Sequence, residues 1–132
     1  MKKSQWKTSI IDIIHLKDII KHFFENNYVI LEIKNKTILE KSKNNWINFV
    51  EKELQNKTGE FIVRFLMKSW KTWDNYSLSV IYFFLFRSFF STNEKSFFPF
   101  QDILINNILS TPFDRDEPIT TTTKINIFIE NY

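Results

Sequence analysis

The chain has 132 residues, of which 43% are hydrophobic and 17% aromatic, with a formal net charge of +3. That is enough for one domain with a modest core, and its 18 bases interleaved with 15 acids read as solubility more than as a nucleic-acid footprint. It has no cysteine, which excludes disulfides, thiolate metal sites and a cysteine nucleophile; a single glycine and three prolines exclude a fold built from tight turns.

The N-terminus, MKKSQWKTSIIDIIHLKDIIKH, begins like a secretory leader, but Asp12, Lys17 and Asp18 interrupt its apolar part. A leader needs an unbroken apolar run, so none is expected. The sequons at Asn35, Asn56 and Asn75 then read as accidents of an asparagine-rich composition. Over about residues 5–24, Ile10, Ile13, Ile14, Ile20, Phe23 and Phe24 recur at helical spacing between charged residues. Residues of about 25–41 have a β-branched centre but also suit a helix, and helix is the expectation.

In about 42–59, Trp46, Phe49, Val50 and Leu54 keep the helical period. Gly59 stands where a left-handed residue would close that helix. Phe61, Phe65, Leu66, Trp70 and Trp73 continue the spacing over about 60–76, and Asn75–Ser77 is either a junction or passed straight through by one long helix. Residues 78–90 are apolar almost all round. A membrane span needs about 18–20 such residues; this run is shorter and contains Arg87, so a buried helix is expected. Pro99 suits the first turn of a helix through FQDILINNIL, ended by Ser110, Thr111 and Pro112. In DRDEP, 114–118, three acids and a proline form a helix start, yet TTTT and KINIFIE favour a strand.

Few constellations point to chemistry. His15 and His22 lie seven apart with Asp18 between them; Asp18 and His22 have the i, i+4 spacing, but two ligands do not hold a tetrahedral ion. No nucleophile–base pair or phosphate loop stands out. An enzyme, a cofactor and a small-molecule substrate are therefore not expected. The residues by themselves define a helical, aromatic-rich binding domain.

Several stretches carry a resemblance. Phe24-Glu25-x-x-Tyr28 follows Trp6 by some twenty residues; Trp46 and Leu54 come next, then Phe65-Leu66 and Trp73-Asp74-Asn75-Tyr76. Leu85-Phe86-Arg87-Ser88-Phe89, Phe98 to Leu109 and Pro118 to Tyr132 complete the series. In this order they resemble the N-terminal, cullin-repeat region of cullins, the scaffolds of modular ubiquitin ligases. Phe86 departs from the family's acid or Asn, Glu32 from a common aromatic, and the stretch from Trp73 to Arg87 is shorter.

The resemblance implies an all-α, cullin-repeat-like bundle of about five helices over about 5–110. The start of a further repeat would occupy about 117–132, within a single helical domain, and the tail would be helix. It implies a scaffold that binds a Skp-type or BTB-type adaptor. Phe24, Glu25 and Tyr28 would form one half of the site, and Tyr82, Phe86, Arg87 and Phe89 the other. Of these, Phe24 and Phe89 suit the core better than a contact, whereas Tyr28, Tyr82 and Arg87 are residue types that anchor interfaces. The family's RING-recruiting part lies beyond the resembling stretch, so adaptor binding without ubiquitin transfer is implied, in the cytoplasm or the nucleus. The alternative is a basic helical protein that binds nucleic acid or a membrane surface.

Overall fold

The computed structural model describes residues 5–89 and 98–131, with 86–89 as backbone only. The protein is all-α; among the described residues the sole β pairing is an isolated bridge between Ile10 and Thr58. The helices that the sequence assigns to one bundle over about 5–110 are distributed over two compact units, Met1–Lys68 and Ser69–Tyr132.

The first unit contains α1 (Gln5–Thr8), α2 (Ile13–Asn26), α3 (Tyr28–Glu32), α4 (Lys36–Phe49) and α5 (Gly59–Met67). Short polar side chains set these boundaries by accepting from the otherwise unpaired N–H groups of a helix start. Asp12 Oδ1 accepts from Ile14 N at 2.9 Å and opens α2. Asn27 closes α2 and opens α3, its Oδ1 accepting from Val29 N at 3.0 Å. Asn35 accepts from Ile38 N, and Thr58 from Phe61 N. Each cap divides a run that periodicity alone reads as longer: 5–24 becomes α1 and α2, and 25–41 breaks around Ile33. The helix expected from 42 instead starts at Lys36, because Asn35 supplies the cap.

α4 passes directly into a wider, π-helical turn, Val50–Leu54, whose first and last residues are buried. With Ile62 they form the core of this unit, and Ile13, Leu16, Ile20, Phe49 and Phe65 pack on it. Phe49 and Phe65 stack at 6.3 Å.

Gly59 does not have the left-handed role expected of it. Asn56 takes that conformation, at φ 59°, and no glycine has positive φ. Gly59 opens α5 and lies beneath the backbone of α1. A methyl there would overlap the Trp6 carbonyl and approach its ring Cε3 to 2.8 Å. The close approach is held by Ile11 N donating to Lys57 O at 3.0 Å and Gly59 N to Ser9 O at 3.3 Å.

The second unit contains a 3₁₀ turn (Trp70–Thr72), α6 (Trp73–Phe89), α7 (Phe98–Leu109) and α8 (Pro118–Asn131). The helix of 60–76 breaks at Lys68–Ser69, and of the two alternatives at Asn75–Ser77 the continuous helix holds. Ser69 leaves helical geometry (φ −97°, ψ 16°), and α6 runs uninterrupted through Asn75–Ser77. Residues 118–131 are helical, so the start signals prevail over the strand-favouring body. α6 packs on α7 and on α8.

Candidate docking surface

α6 and the turn before it bury a polar face. Ser69, Thr72, Asn75 and Ser79 are buried at helical spacing, followed by Phe83. The polar atoms of Thr72 and Asn75 reach backbone and side chains of the same unit. Thr72 Oγ1 lies 2.9 Å from the carbonyls of both Ser69 and Pro112, which share its one proton. Asn75 Nδ2 donates to Asp116 O at 2.7 Å and to Thr121 Oγ1 at 2.9 Å. Asn107, wholly buried, donates to the same Thr121 hydroxyl at 3.1 Å, while its Oδ1 has no hydrogen-bond partner among the described residues. Leaving that acceptor dry is a local cost that the surrounding network offsets.

Arg115 completes the seam. Its Nε donates to Asn107 O at 2.7 Å and its Nη2 to Ser110 O at 2.9 Å, so a fixed positive charge sits on the C-terminal carbonyls of α7. The guanidinium lies 5.0 Å from the Tyr76 ring centroid. Burial pushes its pKa down and the Tyr76 hydroxyl pushes it up, but the group stays cationic.

With polar groups inside alongside Phe83, four large apolar side chains of α6 face outward. Leu78, Ile81, Tyr82 and Leu85, at i, i+3, i+4 and i+7, are each between 47 and 53% exposed. No charged residue lies between Asn75 and Leu85. This reverses the usual amphipathic arrangement and leaves an uncharged, aromatic-containing stripe in water. Sequence reasoning identified Tyr82 but placed the rest of this run in the core. The signal it passed over is the i, i+3, i+7 series of Thr72, Asn75 and Ser79, small polar residues inside an apolar run.

The other expected site residues divide. Phe24 is 8% exposed and meets Phe23 edge-on at 5.6 Å, a core position. Glu25 is exposed beside it, and both line an open groove of about 240 Å³ with Lys36, Leu39, Glu40 and Lys43. Lys43 Nζ lies 3.2 Å from Glu40 Oε1 on its rim, so the opposing charges largely cancel. Tyr28 starts α3 and is 66% exposed, next to exposed Leu31. Phe86, Arg87 and Phe89 belong to α6, but their side chains lie outside the described residues. The two expected halves of the site thus belong to different units.

Nothing gathers into a metal centre: no group of three potential ligands occurs among the described residues. His15, Asp18 and His22 are exposed on α2, and His22 Nδ1 lies 3.1 Å from Asn26 Nδ2. No described helix is long and apolar enough to cross a membrane. Fold and surface together define an all-α protein with an inverted helix. The chain matches no protein-family model, no curated protein and no solved structure.

Proposed function

We propose that this chain is a non-catalytic protein-binding module whose docking surface is the outward face of α6, anchored by Tyr82. Its partner is a Skp-type or BTB-type adaptor, bound as by the N-terminal part of a cullin. The observation that carries the reading is the inversion of α6. An uncharged stripe of Leu78, Ile81, Tyr82 and Leu85 half-exposed to water is stabilised when an apolar partner covers it. Tyr28, exposed on α3 of the first unit, is by itself an aromatic of the type that concentrates binding energy. The ordered resemblance to cullins supplies the class of adaptor, and places the protein in the cytoplasm or the nucleus.

The test is retention of purified adaptors on the immobilised chain. Tyr82→Ala and Tyr28→Ala should each weaken binding roughly tenfold or more. Retention of neither adaptor class under any condition overturns the assignment.

The second reading, a basic protein bound to nucleic acid or a membrane surface, has one feature in its favour. Trp70 is 61% exposed, with Lys71 Nζ 6.0 Å from its ring centroid, an aromatic plane beside a cation. Binding to single-stranded oligonucleotides or anionic vesicles that falls steeply with salt would favour it.

A further inference from the structure

α8 is a helix assembled from residues that favour a strand. Of its 14 residues, four are threonines and four isoleucines, all β-branched and stiff at χ1. No described residue of α8 is buried. The hydroxyls of Thr122 and Thr123 turn back onto the carbonyls of Pro118 and Ile119 at 2.9 Å, an interaction that bends and weakens helices. The polar pins sit at its N-terminal half: Thr121 to Asn75 and Asn107, and Lys124 Nζ to Asp116 at 2.5 Å.

The second half, KINIFIE, alternates with period two. In the helix its isoleucines are scattered: Ile125 is half-buried, while Ile127 and Ile129 are 53 and 63% exposed. In a strand, Ile125, Ile127 and Ile129 share one face and Lys124, Asn126, Phe128 and Glu130 the other. Residues 121–129 contain no glycine or proline and a single charge, the composition of self-pairing segments.

We propose that residues 124–130 have a second, strand state in which they pair antiparallel with the same segment of a second copy of this chain, centred on Ile127. The charges select both occupant and register. Antiparallel pairing about Ile127 sets Lys124 opposite Glu130 at both ends and Ile125 opposite Ile129 between them. Parallel, in-register pairing would set Lys124 on Lys124 and Glu130 on Glu130. The native helix hides this self-complementarity, since Ile127 is turned away there from the face that Ile125 and Ile129 share. Undocking of α8 breaks the Thr121 bonds and the Phe100–Phe128 ring contact at 5.7 Å and so exposes it, a step that mild urea promotes.

The experiment follows the full-length chain across a concentration series in mild urea, by sedimentation, thioflavin T fluorescence and infrared spectroscopy. The expected result is concentration-dependent assembly with an antiparallel amide I signature. Ile127→Lys replaces a residue exposed in the helix, so helical circular dichroism of the dilute chain should persist. It puts two ammonium groups together at the centre of the pair and should raise the assembly concentration roughly tenfold or more. Glu130→Gln should weaken assembly and Glu130→Lys weaken it further. A chain that stays monomeric without strand signal, assembly unchanged by Ile127→Lys, or assembly strengthened by Glu130→Gln, as a parallel register requires, each overturns the proposal.

Discussion

At Gly59 the presence or absence of one methyl group decides whether α1 can lie against α5. The Trp6 backbone already occupies the space a Cβ would need, so Gly59→Ala forces α1 away or strains the turn. A loss of about 1–3 kcal/mol in urea-unfolding stability is expected, as for other overpacked sites. Asn75 is a second such position. Asn75→Ala removes donations to Asp116 O and Thr121 Oγ1 and strands the Asp116 carbonyl, while Thr121 keeps the Asn107 donor, for a cost of about 1–3 kcal/mol by chemical denaturation. A cycle with Thr121→Val should show coupling of about 0.5 kcal/mol or more, because the two side chains share one bond. The sequence does not reveal either role. Glycine after a helical run suggests a left-handed cap, and only the return of α1 over position 59 explains a glycine with negative φ. Tyr28 and Tyr82 lie exposed, as suits an aromatic ring whose hydroxyl stays hydrated.

On the scale of single elements, α6 and α8 are both helices whose sequences argue against their setting. For α6 the apolar density was plain, but not which face would be wet. A helix of Leu, Ile, Phe and Tyr satisfies a buried assignment on any side, and Thr72 and Asn75 tip the balance by finding partners inward. Replacing Leu78 and Ile81 with lysine should therefore leave urea-unfolding stability within about 0.5 kcal/mol, as at other exposed sites, while abolishing adaptor retention. A large loss of stability would show instead that this face packs inside the fold. In α8 the start signals, Pro118 and the acids before it, were readable, and so was the conflict with the threonine and isoleucine body. The decisive contribution, Thr121 hydrogen-bonded to Asn75 and Asn107 from distant parts of the chain, was not.

Across the whole molecule, the scarcity of glycine and proline was sufficient to give the all-α class. The division at Lys68–Ser69 was not legible, because it carries no proline or glycine and lies inside an unbroken helical period. Gly59→Ala acts in the first unit and Asn75→Ala in the second, with no shared partners, so their effects on unfolding free energy should add within about 0.5 kcal/mol. Deviation beyond that would reveal energetic coupling between the units. The same division gives the protein two optical channels. Of its four tryptophans, Trp6 and Trp46 belong to the first unit, and Trp70 and Trp73 to the second. Exchanging either pair for phenylalanine leaves a chain whose intrinsic emission reports on one unit alone. Trp70 and Trp73, exposed immediately before the docking stripe, would move from red-shifted to blue-shifted emission as a partner excludes water from them.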